Sequence, residues 1–565
     1  MIPFRAPLLK ETDMNARLYA TSKSSVPVTT LLVNITLISL TGTACKHGGN
    51  VKNDPKILEQ TTSVEPIDDG VDVVKKAPWF QGSPEEAFAA AKADGKPVLL
   101  YWGAIWCPPC NEVKSSVFTQ APFKELMSAR AIAVYLDGDA ELAQQWADRL
   151  GVSGYPTLLL LTPDGQEMLR LGTDLDAREV VSTLEAVLSD TTSVAQAMER
   201  TLRGEGRESD WALLAGTSWG QLEFTEITRA ELLRRKLRMS LTAPEKPDSW
   251  RARLAAETLR SAAQVDGSEK GELSMVVSQV QAKAEILLDA MFKSPEAIRS
   301  VRTAINYDAV KIIDFAVGPS EARAALELRW LEAADHIERD ATLSVDTRLW
   351  AQNPALELTF ARLESKDPEL IPAPLKADIQ AAVQLADARA KNRYDRHAVI
   401  WGASDFLRRI GDFDGARKLL EQEAAVSDTP WYYFSSLASL ERDAGRPEAA
   451  LDWATKARES AKGRASKVQW IVSDLNMTAK LSSATDDSRL VKILQEYWET
   501  ALALPDGFSG RNSMRAKNVA REVSALLKSR SGLKAVVTEY GARCKSLPAS
   551  SQQACVAHFQ EIESF

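Results

Sequence analysis

The sequence predicts an α/β domain near the N-terminus followed by a large all-α region. Three observations carry that expectation. Between residues 77 and 190 short apolar runs of strand length alternate with amphipathic helical segments. From about residue 195 strand-like runs give way to helical stretches that continue to the end. Two cysteines two residues apart, Trp106-Cys107-Pro108-Pro109-Cys110, lie where the first strand gives way to a helix.

Each element of the α/β part has a local cause. Ser83-Pro84-Glu85-Glu86 reads as a capping box with proline at the first helical position, opening a helix over 85–93. Residues 96–102 form a strand-type run ending just before the cysteines, and 111–118 continue the helix that they open. Residues 131–136 form a second strand, 140–150 a helix and 157–161 a third strand. Pro163-Asp164-Gly165 turns the chain into a fourth strand at 167–171, and a helix over 176–188 closes the domain.

The cysteine pair carries the chemistry. Two cysteines at this spacing close a small disulfide ring, and the amide groups opening a helix favour a thiolate, lowering a thiol pKa from roughly 8.5 into a range of about 3.5 to 7.5. Cys107 is the expected nucleophile and Cys110 the resolving thiol. The same spacing also serves as half of a zinc knuckle, but no second pair supplies the other ligands. Cys544 and Cys555 are too far apart in sequence, and His47, His336, His397 and His558 form no close set. No metal or organic cofactor is expected. About fifty residues on, Gly154-Tyr155-Pro156-Thr157 precedes the third strand.

These motifs, with the EEAFAAAKADGKPVLL lead-in, make residues 77–190 resemble the thioredoxin superfamily. The likeness is nearest to domains at the C-terminus of membrane thiol:disulfide interchange proteins. It implies a thiol:disulfide oxidoreductase acting on protein substrates; a protein-disulfide reductase is the expectation, while Cys107-Pro108-Pro109-Cys110 leaves reduction, oxidation and isomerisation open. It also implies a cis Pro156 beside the cysteines, with Trp106, Tyr155 and Pro156 contacting substrate. One departure is evident: thioredoxin carries a buried aspartate six residues before the first cysteine, and this chain has Tyr101 there. A phenol with a pKa of about 10 is a poor base near neutrality. Glu112 is a candidate for proton transfer instead, its alternative role being to complement the helix dipole.

Length and charge limit other readings. The 565 residues carry 69 Lys and Arg against 77 Asp and Glu, a net charge of −8, which argues against nucleic-acid binding. No Walker loop, HExxH or GxSxG motif is present. Residues 1–45 read as a secretory signal: an apolar run over 26–40 follows Arg17 and Lys23, with Met14 an alternative start. Thr41-Gly42-Thr43-Ala44-Cys45 resembles a lipobox, so Cys45 is a candidate for lipidation, plain signal cleavage being the alternative. Either route places the protein outside the cytoplasm, in the periplasm, with a lipid anchor in the first case. Residues 46–76 would be a tether. If Cys45 is acylated and Cys107 pairs with Cys110, then Cys544 and Cys555 remain as a structural disulfide, brought together by helices around Pro548.

Within the helical part, 191–565, Gly411 and Gly445 lie 34 residues apart, as do Ala416 and Ala450. Residues 397–462 thereby resemble tetratricopeptide repeats, whose concave faces bind peptides or proteins. An unrelated alanine-rich bundle is the alternative. Trp211, Trp219, Trp330, Trp350, Trp401 and Trp431 are expected mainly in cores. The leading expectation is an exported oxidoreductase whose helical region recruits a membrane or soluble redox partner. The competing one is a binding scaffold with a regulatory or vestigial redox domain. Peroxide reduction is weaker, because no separate peroxidatic motif accompanies the pair.

Overall fold

The computed structural model describes residues 78–564, except 153, 173–175, 191, 223–226 and 483–486. The expected signal, Cys45 and the tether lie outside the described residues. Four strands form a mixed sheet in the order β2-β1-β3-β4. They are β1 (Val98–Gly103), β2 (Ile132–Asp137), β3 (Thr157–Leu161) and β4 (Glu167–Leu171). β1 runs parallel to β2 and antiparallel to β3, which pairs antiparallel with β4.

Alternation along β1 sends its side chains to two separate cores. Val98, Leu100 and Trp102 pack under α1 (Pro84–Asp94) and α4 (Glu141–Arg149). Leu99 and Tyr101 face α2 (Pro108–Val113), α3 (Ala121–Arg130) and α5 (Ala177–Leu188). The expected capping box at Ser83 and Glu86 opens α1. Helix α3 was not anticipated: a π-helical turn, Lys114–Phe118, prolongs α2, and Pro122 in the first turn of α3 restarts the chain as a second helix.

The second core continues without a break into the helical region, through Val194, Met198, Trp211, Leu214, Trp219 and Leu254. Helices follow one another from Val194 onward, and the described residues belong to one compact unit. Helices Arg393–Arg409 and Phe413–Val426 pair, as do Pro430–Asp443 and Pro447–Ser460. Gly411 and Gly445 occupy matching turns with positive φ of 86° and 72°, where a side chain would be strained, and Ala416 and Ala450 are fully buried between helices. Five of the six singled-out tryptophans are buried, and Trp401 is half-exposed against Trp350. Cys544 and Cys555 form a disulfide with Cα atoms 5.6 Å apart, across the turn leading into the helix Ala549–Ser564. Among the described residues no helix is long and apolar enough to cross a membrane.

Candidate active site

Sheet topology gathers the site. Because β1 and β2 are parallel, their C-terminal ends lie side by side, and Gly138 donates its N–H to the carbonyl of Gly103 at 2.9 Å. Because β3 is antiparallel to β1, its first residue, Thr157, stands opposite Trp102. The loop holding Trp106 and Cys107, the Gly138-Asp139 turn and the Tyr155-Pro156 turn therefore share one edge of the sheet.

Cys107 is the N-cap residue of α2, with extended backbone, and Pro108 and Pro109 occupy the first helical positions. A disulfide joins Cys107 to Cys110, with Cα atoms 5.2 Å apart. The N–H of Cys110 donates to Cys107 Sγ at 3.2 Å. The Asn111 amide fixes the loop by donating to the carbonyls of Ile105 and Cys107, at 2.9 and 3.0 Å. The Tyr155–Pro156 peptide bond is cis. The Tyr155 hydroxyl donates to the Gly138 carbonyl at 3.1 Å, and its ring lies where a side chain at 138 would stand. Tyr101 is fully buried, its hydroxyl 3.5 Å from the Cys110 carbonyl, and burial pushes its pKa well above the usual phenol value.

The helical region closes over this edge. Cys107 is 4% exposed and Cys110 wholly buried, in one apolar cluster with Trp106, Trp431 and Trp470. Tyr432 stacks on Trp106 with ring centres 6.5 Å apart, and Trp470 meets Trp106 edge-on at 6.2 Å. The Asp139 carboxylate ties the two parts together: it accepts the Trp106 indole N–H at 3.0 Å and the Ser466 hydroxyl. Helix Arg393–Arg409 packs directly on α2.

Glu112 turns away from the dithiol to the helical region. Its Oε1 accepts hydrogen bonds from the hydroxyls of Ser344 and Thr347, the latter at 3.0 Å. Asp346 sits beside it; burial first, and the Glu112 charge second, push the Asp346 carboxyl well above the usual range. Both line a cleft of about 440 Å³ with Arg299, Arg302 and Tyr307. Arg299 pairs with Asp176 at 2.6 Å, and Arg302 with Glu179 at 3.0 Å, holding the first turn of α5 to the helical region. No group of three or more metal-ligating side chains occurs among the described residues.

The residues singled out in sequence at 106, 107, 110, 155 and 156 come together at this edge, whereas Glu112 is committed elsewhere. Asn111, Asp139, Tyr432, Ser466 and Trp470 were missed. Asp139 follows the end of β2, and the parallel pairing of β1 and β2 would have flagged it. Nothing local marks Tyr432, Ser466 or Trp470, which reach the site only through tertiary packing.

Comparison with known proteins agrees with this geometry. A family profile described as a thioredoxin-like domain matches residues 84–188. Over 103 residues the chain is 31% identical to thiol:disulfide interchange protein DsbD 1 of Pseudomonas aeruginosa, covering 18% of this chain and 17% of that protein. Over 96 residues it is 31% identical to DsbD 2 of the same organism, covering 16% of each. The chain thus spans about a sixth of the length of these curated relatives. Among solved structures, a DsbH oxidoreductase aligns over 21% of this chain and 95% of its own, at 21% identity and a TM-score of 0.19. A thioredoxin from Thermus thermophilus aligns over 19% and 85%, at 28% identity and a TM-score of 0.18. Residues 84–188 are a thioredoxin-like domain related to those of the disulfide interchange proteins, and a large helical region follows it.

Proposed function

We propose that this protein is an exported thiol:disulfide oxidoreductase that reduces protein disulfides through Cys107 and Cys110. The observation that carries the reading is the Cys107–Cys110 disulfide at the start of a helix beside the cis Tyr155–Pro156 bond. In the reduced protein the Cys107 thiolate attacks one sulfur of a substrate disulfide. The substrate S–S bond breaks, its departing thiolate takes a proton, and a mixed disulfide remains. Cys110 then loses its proton and attacks Cys107 Sγ, releasing the second substrate thiolate, which is protonated in turn. Two electrons pass to the substrate, and a partner dithiol returns them. Tyr101, held neutral by burial, is unsuited to accept the Cys110 proton, and the Glu112 carboxylate is engaged by the Ser344 and Thr347 hydroxyls, so that proton passes to solvent or to the departing substrate thiolate.

The division into a redox domain at 77–190 and a helical domain at 191–565 with tetratricopeptide-like pairs near 397–462 belongs to the same proposal. So do export by residues 1–45, the 46–76 tether, lipidation of Cys45 and action in the periplasm. The helical region holds the redox domain and controls the approach of protein partners. A second reading, a scaffold whose redox domain is regulatory or vestigial, is favoured by one observation, the burial of Cys107 in one cluster with Trp431 and Trp470.

Nonreducing gels with a disulfide-bearing protein separate the two. Cys110→Ser is expected to trap a mixed disulfide, and Cys107→Ser to lose exchange altogether, because only the second thiol releases the substrate. Equal trapping by both variants would refute the assigned order, and a reduced wild type inert toward every disulfide would leave the scaffold reading standing.

A further inference from the structure

Two indole N–H groups in the aromatic cluster that contains the dithiol find no acceptor among the described residues. Trp431 and Trp470 are 1% and 5% exposed, and Nε1 of each is buried without a hydrogen-bond partner among the described residues. Both belong to the apolar cluster that contains Cys107 and Cys110. The third indole of that cluster, Trp106, has its N–H on Asp139, so unpaired donors are not general there. A buried donor left unpaired costs about 1–3 kcal/mol, and folded proteins keep few of them. Two in one cluster, both contributed by the helical region, call for an acceptor that the oxidised state does not offer.

Reduction supplies one. In the disulfide both sulfurs are uncharged and bonded to each other, and Cys107 Sγ already takes the Cys110 N–H. Adding two electrons and two protons breaks the S–S bond and leaves two thiols. Release of the Cys107 proton to solvent then leaves an anion, and charge-assisted hydrogen bonds are roughly twice as strong as neutral ones. We propose that Trp431 and Trp470 are hydrogen-bond donors to the Cys107 thiolate, so that the helical region sets the acidity and redox balance of the dithiol.

The charged groups on the surrounding elements leave this task open. Asp139 is held by Trp106 and Ser466, and Glu112 by Ser344 and Thr347. Asp346 lies on the Glu112 side, Tyr432 is kept neutral by burial, and Lys114 lies over the Tyr135 ring; on the helix packed against α2, Asp395 is held by Ser115 and Asn392 and His397 is kept neutral by burial, and at the end of β2 burial raises the Asp137 carboxyl. Two indole donors stabilise an anion without bringing a full charge into an apolar cluster, which would itself be costly. The inference deepens the oxidoreductase reading and rests on it, since only a dithiol that cycles needs its thiolate tuned.

The test uses the full-length reduced protein. Trp431→Phe and Trp470→Phe keep a ring in place and remove only the N–H. Thiolate ultraviolet absorbance against pH reads the Cys107 pKa, and equilibration with glutathione reads the redox balance. The double variant is expected to raise that pKa by about one and move the glutathione equilibrium about tenfold towards the disulfide. An unchanged pKa in the folded double variant overturns the proposal. Should a variant fold poorly, indole 15N–1H resonances of the wild type replace it: two are expected to shift on reduction and to titrate with Cys107, and indole signals indifferent to reduction overturn the proposal equally. Neither readout needs a substrate, so failure here is distinct from failure of the exchange assay above.

Discussion

A buried imidazole persists in a core only while it is uncharged. His558 is 4% exposed and accepts the indole N–H of Trp498 at 3.0 Å, and burial pulls its pKa down to about 4. His397, bonded to the Tyr433 hydroxyl at 3.0 Å, is likewise pulled down to about 4, first by burial and then by neighbouring Arg393 and Lys114. With the folded pKa depressed, each contribution to stability is fully present above the unfolded value of about 6.5 and is lost as pH falls through about 4. At pH 4.5 that loss is on the order of 2 to 3 kcal/mol for each histidine. Thermal melts of His397→Gln/His558→Gln are therefore expected to show a shallower fall in Tm than the wild type between pH 6.5 and 4.5. Identical slopes would mean that neither imidazole carries the acid sensitivity. Nothing at either residue in the sequence announced this, since four scattered histidines offer no pattern. By contrast the departure at Tyr101 was plain in the sequence, because its distance from Cys107 is fixed along one strand and loop.

Elements decide how the redox helix is held. Helix α2 is short and leans on helix Arg393–Arg409, while Glu112 reaches the hydroxyls of Ser344 and Thr347 at the start of helix Val345–Trp350. Asp346 is the sensitive member of that contact: burial and Glu112 raise its pKa, a hydrogen bond from Trp350 lowers it, and Tyr307 and Tyr432 lie within its field. A carboxyl whose pKa is raised by docking favours the docked form below the ordinary carboxylate range, and that contribution is lost as pH rises through the docked-state value. Hydrogen exchange over 108–118 and 345–350 is expected to accelerate with pH beyond the intrinsic chemical dependence in the wild type. Asp346→Asn should remove that excess, and a variant profile matching the wild type would exclude Asp346 as its source. The elements of the redox domain were largely legible, because strand runs, the capping box at Ser83 and the turn at Gly165 are local signals. Helix α3 was not, since Thr119-Gln120 gives no breaker that separates it from the preceding helix. The 34-residue spacing within 397–462 marks the turns at Gly411 and Gly445, but what the neighbouring helices contact was not legible, because packing across more than 200 residues leaves no periodic trace.

At the scale of the whole molecule, the helical region that the sequence suggested as a surface for partners is occupied in part by the chain's own redox domain. Tyr432 and Trp470 lie against Trp106 with Trp431 in the same cluster, the Asp139 carboxylate links Trp106 to Ser466, and the Arg299–Asp176 and Arg302–Glu179 pairs fasten α5. A protein disulfide approaching Cys107 has to displace that cover, whereas a slender thiol reagent needs only a small opening. Displacement exposes apolar surface of Trp431, Trp470 and the partly buried Tyr432, and each ~100 Å² of it kept from water favours the closed form by about 2.5 kcal/mol. The open form is thus a minor population, and the reaction of a bulky reagent is slowed by that fraction. Alkylation of reduced Cys107, mapped by peptide mass spectrometry, is expected to run at least tenfold slower with a polymer-linked maleimide than with N-ethylmaleimide. Ser466→Ala combined with Tyr432→Ala removes one link and one ring without touching the two indole donors, and should narrow that gap several-fold while leaving the small reagent nearly unaffected. Equal rates for both reagents on the wild type would mean that the cover does not restrict access, and that the aromatic cluster serves only to hold the domains together.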